Sequence, residues 1–388
     1  MLLNTVQRMR FLHTSDWHVG RTFHGRDLLA EQESVLSGLA DLVDSERVDV
    51  VVVAGDLFDR AVPNAEAVAV CSRVLERLRA AGATVVVTPG NHDSAARLGL
   101  FGGFTAAGGL HVRTRAAAVG EPVLLADDHG PVAVYGIPYL EPETARQALE
   151  VPDARGHRGV LTEAMRRVRA DLATRSARSV VLAHAFVTGG QACESERTIA
   201  VGGVQDVPAS VFDGVDYVAL GHLHGQQTLA EGMRYSGSPM AYSFSEARHG
   251  KSVWLVELDA GGLAGVERRP LPVPRALSTV SGGLAELLSA PEHDEIADHF
   301  LSVVLTDRVR PLDALRRLQA RFPHAVHVDW QPEGGRSAEL RFAERVRGRS
   351  DEEIACCFLE DVRDERPSER ELAMLREAFA AAAREEAS

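Results

Sequence analysis

Over the first 250 residues, short runs rich in Val, Ile and Leu alternate with longer stretches whose apolar residues recur every three or four positions. The runs Arg10–His13, Val48–Ala54, Thr84–Thr88, Ser179–Ala183 and Asp216–Leu220 read as β-strands. Several are apolar at nearly every position, the pattern of strands covered on both faces. Asn64–Ala81 and Thr162–Ala173 read as amphipathic helices. Strands alternating with helices predict an α/β fold, either a layered sandwich or a layered sheet. In such sheets, ligands gather beyond the carboxyl ends of the strands.

The pattern changes near Pro270, where Pro270, Pro272 and Pro274 make a stiff, extended connector. Beyond it Phe300–Leu305 reads as a strand, Pro311–Arg321 as a helix and Ala325–Trp330 as a strand, a small α/β module. The end of the chain is helical in pattern. Ser350 with Glu353 and Ser368 with Glu371 match the S-x-x-E capping box, and Pro367 separates two helices. Leu372, Leu375 and Phe379 then share one helical face, suited to packing on the chain's own module or to docking a partner. The expected domains are 1–269, 276–348 and 350–388. No internal repeat is visible, and low complexity is confined to Ala378–Ala383 and the Gly-rich stretch Gly99–Gly109.

A hydrophobic content of 45% and a charged content of 25% are those of an ordinary globular protein, and 388 residues suffice for a sizeable core. No apolar run approaches the length that crosses a bilayer, so no membrane partner is expected. The N-terminal apolar stretch is too short for a secretory signal, so a cytoplasmic location is expected; translation starting near Met9 would leave the first strand intact. Cys71, Cys193, Cys356 and Cys357 show no C-x-x-C spacing, which argues against a disulfide framework or zinc finger and for buried or half-buried thiols. The net charge of −13 opposes binding to a polyanion. Residues 351–388, however, hold twelve acidic and five basic side chains, so −7 lies in this tail and only −6 in the other 350 residues.

Five motifs carry the candidate chemistry, each at the end of a strand-like run: Asp16-Trp17-His18, Gly55-Asp56-Leu57-Phe58-Asp59, Gly90-Asn91-His92-Asp93, His184, and Gly221-His222-Leu223-His224. Singly they are weak, since D-x-H occurs in many turns and G-D-x-x-D makes a good helix N-cap. Together, Asp16, His18, Asp56, Asn91, His184, His222 and His224 offer carboxylate, amide oxygen and imidazole without thiolate, a set suited to Mn, Fe or Zn. Seven ligands are too many for one such ion and suit two that share a carboxylate. Asp56, following a buried strand, is the natural bridge. Two such ions would depress the pKa of a water between them and attract a phosphodiester, which points to phosphate-ester hydrolysis. His92 is the candidate for transition-state stabilisation or leaving-group protonation, with Asp93 expected to orient it.

The longer strings His13-Thr14-Ser15-Asp16-Trp17-His18-Val19-Gly20-Arg21, Ala54–Asp59, Thr88-Pro89-Gly90-Asn91-His92-Asp93-Ser94 and Tyr235-Ser236-Gly237-Ser238-Pro239 resemble those of the calcineurin-like metallophosphoesterase superfamily, and within it the SbcD nuclease family. The resemblance is close to about residue 255 and beyond that rests on the position and size of the module. It implies a layered metallophosphoesterase sandwich with a smaller α/β capping domain and a C-terminal helical tail. One metal would take Asp16, His18, Asp56 and His224, the other Asp56, Asn91, His184 and His222, with His92 catalytic. It further implies two Mn2+ ions, exonuclease action on duplex DNA ends, endonuclease action on single strands and hairpins, and roles in DNA repair, recombination and replication. An SbcC-type SMC-like ATPase would be the partner, with a homodimer of the nuclease inside a heterotetramer. Archaeal and eukaryotic relatives carry His where this chain has Asp59, so no role of that His transfers. Two other readings remain: a phosphoesterase for small phosphodiesters or phosphoproteins, and a non-enzymatic scaffold, which the complete ligand set opposes.

Overall fold

The computed structural model describes residues 8–196, 207–332, 349–363 and 365–386. The chain divides into two compact units, Met1–Pro274 and Arg275–Ser388.

Two six-stranded sheets build the first unit. In chain order its strands are β1 (Met9–Thr14), β2 (Thr22–Phe23), β3 (Arg26–Asp27), β4 (Val50–Ala54), β5 (Thr84–Thr88), β6 (Leu110–Val112), β7 (Val123–Asp127) and β8 (Gly130–Ile137). There follow β9 (Arg178–His184), β10 (Tyr217–Gly221), β11 (Gln227–Ala230), β12 (Met233–Tyr235), β13 (Ser252–Asp259) and β14 (Gly262–Pro270). One sheet runs β14-β13-β1-β4-β5-β6 and the other β11-β12-β10-β9-β8-β7, while β2 and β3 form a separate small hairpin. Within the first, β1, β4, β5 and β6 are parallel; within the second, β8, β9, β10 and β12 are.

The five strands expected from hydrophobic runs are β1, β4, β5, β9 and β10, each displaced by at most two residues at an end. Their unbroken apolar character follows from burial on both faces. Phe11, Val50, Val52 and Val86 meet Val134, Val180, Leu182 and Ala219 between the sheets. The outward residues Tyr135, Ile137, Val181 and Leu220 pack on Val160, Ala164, Met165 and Val168 of the helix Gly156–Leu172. On the first sheet, the helix Ala65–Ala80 packs against β5 and against the helix Leu29–Ser45. Each fully buried Val is worth about 1.5–3 kcal/mol of transfer free energy. His13, in the middle of β1, crosses the sandwich: its Nδ1 lies 2.9 Å from the Tyr217 hydroxyl and its Nε2 3.1 Å from the Leu220 carbonyl. Burial pushes its pKa down to about 3, so it is a neutral strut between the sheets.

The second unit holds the parallel strands β15 (Leu277–Gly282), β16 (Phe300–Leu305) and β17 (Ala325–Trp330) around a core of Leu284, Leu301, Val303, Leu305, Leu318 and Phe322. The expected helix Pro311–Arg321 is shorter, Ala314–Gln319, because Asp313 takes a left-handed conformation (φ 52°) that a helix cannot extend through. Helices Asp351–Arg363 and Glu369–Glu386 follow. Both capping boxes form: the Ser350 and Ser368 backbone N–H groups each donate to a carboxylate, Glu353 and Glu371, at 2.8 Å. Leu372 and Leu375 are half-buried, but Phe358, Met374 and Phe379 are exposed. Among the described residues no helix is long and apolar enough to cross a membrane. All four cysteines are free, two buried and two half-buried.

Candidate metal centre

The five motifs leave β1, β4, β5, β9 and β10 at one rim of the sandwich, three from one sheet and two from the other. Close approach there requires glycine. A Cβ on Gly221 would lie 1.8 Å from the Ala54 carbonyl oxygen, and one on Gly90 would lie 2.1 Å from Asp56 Oδ1. Among the candidate ligands, Asp16, His18, Asp56 and His222 hold positive φ of 53°, 46°, 52° and 105°. Such backbones cost about 1–3 kcal/mol each and persist only where surroundings hold them. Here Asp16 N–H donates to the Gly55 carbonyl and His18 N–H to that of Asp56, both at 3.0 Å, tying the two loops together. Buried Gln32 adds an Nε2–H bond to the His18 carbonyl at 2.8 Å and accepts from Gly20 N–H at 2.9 Å.

All seven candidate ligands and His92 converge. His18 Nε2 faces His224 Nε2 at 3.0 Å, although at most one of the two can carry a proton. His184 Nε2 lies 2.9 Å from Asn91 Oδ1, and the His222 ring is 5.3 Å from that of His184, centroid to centroid. Asp16 accepts from the His222 backbone N–H at 3.0 Å. Of the Asp56 carboxylate, Oδ1 accepts from His92 N–H at 2.8 Å. Its Oδ2 stands 3.7 Å from His18 Nε2 and 3.4 Å from His184 Nε2.

Hydrogen bonds fix several protons. His184 Nδ1 donates to the Ala54 carbonyl at 2.9 Å, so its Nε2 and Asn91 Oδ1 confront each other as two acceptors that only a proton or another cation can join. The buried amide nitrogen of Asn91 has no hydrogen-bond partner. His92 Nδ1 lies 2.8 Å from the Asp59 carbonyl, to which it donates. Asp93 does not orient His92, contrary to expectation: its carboxylate accepts backbone N–H bonds from Gly90, Leu57 and Phe58 at 2.9, 3.1 and 3.0 Å. A carboxylate placed to collect three orphan loop donors is committed to backbone. Asp93 therefore shapes the loops that carry Asp56 and Asn91.

Burial raises Asp16 to about 7, with His184 opposing and Asp56 adding to the rise. For Asp56, burial works upward, but the His184 charge and hydrogen bond, then His18 and His92, hold it well below the carboxylate range. His184 shows the converse: burial lowers it, yet Asp56 and Asp16 carry it up to about 9. Burial, followed by repulsion from His184, depresses His222 to about 3, and His18 is pushed down by burial likewise. His18 and His222 are thus neutral imidazoles, the form that binds a divalent ion, whereas His184 would give up a proton to do so.

This donor set fits two divalent ions on its geometry. Ligand atoms about 2.0–2.1 Å from one ion stand roughly 3 Å apart, as the facing histidine nitrogens do. An orphan amide, facing histidine nitrogens and buried carboxylates in one pocket are otherwise costly.

Residues outside the motifs complete the centre. Ser195, Glu246, Lys251, Gln32 and Tyr242 surround His224 and His18, and no spacing in the sequence marks them. Asp59 is half-buried at the edge of the centre, with Oδ1 3.7 Å from both His18 Nδ1 and Arg21 Nη1 and Oδ2 3.7 Å from Arg60 Nε.

Residues 9–226 match the model of the calcineurin-like phosphoesterases. Residues 273–363 match the SbcD_C model, a type 5 capsule protein repressor C-terminal domain. Among solved structures, TT1561 of Thermus thermophilus is 14% identical over 68% of this chain and 99% of its own, with a TM-score of 0.38. A dimetal phosphatase from Danio rerio is 14% identical over 68% of this chain and 96% of its own (TM-score 0.41). GAP50, the anchor in the inner membrane complex of Plasmodium, is 11% identical over 85% and 99% (TM-score 0.33). These likenesses are too distant to bear on substrate. With the match spanning 218 residues and the ligand types of a two-metal hydrolase gathered at one rim, the chain belongs to the calcineurin-like phosphoesterase family and carries the site of a metal-dependent phosphoesterase.

Proposed function

We propose that this protein is the nuclease subunit of an SbcCD-type complex, a Mn2+-dependent enzyme that hydrolyses DNA phosphodiesters at duplex ends, single strands and hairpins. The observation that carries the two-metal reading is the placement of Asp56 Oδ2 between His18 Nε2 and His184 Nε2, at 3.7 and 3.4 Å. Those histidines belong to different ligand sets, Asp16–His18–Asp56–His224 and Asp56–Asn91–His184–His222, so Oδ2 is where a shared ligand belongs. DNA as substrate draws support from the SbcD_C match over the small module and first tail helix, which a small substrate does not call for. The exposed Phe358, Met374 and Phe379 of the acidic tail suit docking on an SMC-like ATPase.

When bound, a divalent pair supplies an acidified water and charge neutralisation for a phosphodiester. The chain's own part is positional. Asp56, held through Oδ1 by the His92 backbone, keeps Oδ2 fixed between the two ligand sets. His92, anchored through Nδ1 on the Asp59 carbonyl, keeps Nε2 as the atom that exchanges a proton with the leaving oxygen. Asp93 keeps the Gly90 and Leu57–Phe58 segments together while this happens.

The test is hydrolysis by the purified chain with Mn2+ of linear duplex, hairpin and single-stranded DNA, beside a chromogenic phosphodiester. DNA cleavage abolished by chelation is expected. Activity confined to the small phosphodiester would overturn the nuclease reading and favour a small-molecule phosphoesterase.

A further inference from the structure

Behind His224 lies a buried chain of polar groups with no direct part in the chemistry above. Its Nδ1 is 2.7 Å from Ser195 Oγ, and Ser195 Oγ donates to Glu246 Oε1 at 2.5 Å. Glu246 also accepts from the Tyr242 backbone N–H at 3.0 Å and pairs with the Lys251 ammonium. Lys251 in turn donates to Ser238 Oγ at 2.9 Å and to the His224 carbonyl at 3.2 Å. Ser195, His224, Glu246 and Lys251 are all buried, at 8%, 1%, 1% and 5% exposure, so water does not satisfy these groups instead.

Proton counting along this chain has one solution. A hydroxyl carries a single proton. The Ser195 proton is directed at the carboxylate, which has none to return while Lys251 pairs with it. Ser195 must then accept from His224, so Nδ1 bears the imidazole hydrogen and Nε2 keeps its lone pair. That Nε2 is the atom 3.0 Å from His18 Nε2 at the centre.

We infer that Ser195 and Glu246 are positioning residues that hold His224 in the Nδ1–H tautomer, with its Nε2 lone pair aimed at the metal that His18 also serves. Glu246 sets the direction of the relay, and Lys251 lets a carboxylate stay ionised where burial alone would neutralise it. The arrangement is a carboxylate–hydroxyl–histidine relay, the kind of outer partner whose loss weakens metal binding about 10–100-fold. The inference rests on the two-metal reading.

Mn2+ titration of the metal-free full-length chain, followed by the EPR signal of the free ion, tests both and separates them. The wild-type protein is expected to take up two ions. Ser195→Ala leaves the Glu246–Lys251 pair in place, so the metal-free variant should still fold cooperatively, with a lower melting temperature from the buried His224 N–H left unpaired. One of its two Mn2+ affinities should nevertheless fall about 10–100-fold while the other holds. Glu246→Gln should weaken the same site. In metal-free protein labelled with 15N-histidine, the His224 ring shifts should report the Nδ1–H form for wild type and a tautomer mixture for Ser195→Ala. Wild-type affinity at both sites in Ser195→Ala, or an Nε2–H form in the wild-type chain, overturns the relay and leaves the two-metal reading standing. A wild-type chain that binds no Mn2+ overturns both.

Discussion

His184, at the end of β9, donates its Nδ1 hydrogen to the carbonyl of Ala54, the last residue of β4, at 2.9 Å across the gap between the sheets. One contact thus couples the closure of the sandwich to the aim of a candidate ligand, since it fixes which His184 nitrogen faces Asp56. His184→Ala should lose occupancy of one Mn2+ and most hydrolysis, whereas His184→Gln, which keeps a donor, should lose metal with a smaller loss of stability. Mn2+ titration and thermal melting of the two variants check this; two ions retained in His184→Ala would remove His184 from the ligand set.

Metal uptake should release protons. Burial works against charge on His184, but Asp56 and Asp16 raise it to about 9, so at pH 7 it is cationic and must lose a proton to become a ligand. Burial raises Asp16 to about 7, so it is partly protonated there. Mn2+ binding at pH 7 should therefore release roughly one to two protons, and affinity should rise with pH through this range and level off above about 9. Calorimetry in buffers of different ionisation enthalpy measures the number; uptake of protons would contradict the protonation states assigned to the pair.

His92 should separate binding from chemistry. Its ring hangs on the Asp59 carbonyl at 2.8 Å, whereas its backbone N–H serves Asp56, so His92→Ala removes the ring and spares that bond. Both Mn2+ ions should stay and kcat should fall by about 10²–10⁴-fold. Loss of an ion together with activity would make His92 a ligand.

Gly90 has no room for a methyl group, because its Cβ would lie 2.1 Å from Asp56 Oδ1 and 2.5 Å from the Asp56 nitrogen. Gly90→Ala should shift the shared carboxylate, and a displacement near 1 Å costs about 10²-fold in rate. Stability should drop by about 1–3 kcal/mol from overpacking. Unchanged kinetics in a folded variant would mean that Asp56 is not central.

The tail should be separable. If the proposed nuclease and partner are right, deletion of 351–388 should leave Mn2+ binding and basal cleavage of single strands intact while abolishing co-purification with the proposed SMC-like ATPase. Retained co-purification would move the docking surface elsewhere on the chain.

Much of the framework was legible because its signals are local. A strand buried on both faces must be apolar at successive positions, and so β1, β4, β5, β9 and β10 stood out, as did the Ser350 and Ser368 caps. The antiparallel edge strands β7, β11 and β14 and the three-residue parallel strand β12 escaped notice, being short or half-exposed.

What the sequence determined alone is the inventory: which side chains end the central strands, and that oxygen and imidazole donors without thiolate suit hard or borderline divalent ions. Which atoms of those side chains meet was decided only in three dimensions. Asp93 turned from His92 to three backbone donors, Asp56 kept one oxygen for the centre, and His224 took its tautomer from Ser195 and Glu246. Hydrogen-bond direction depends on which donors and acceptors burial strands together. That is a property of two sheets closing on each other, and no spacing along a single strand encodes it.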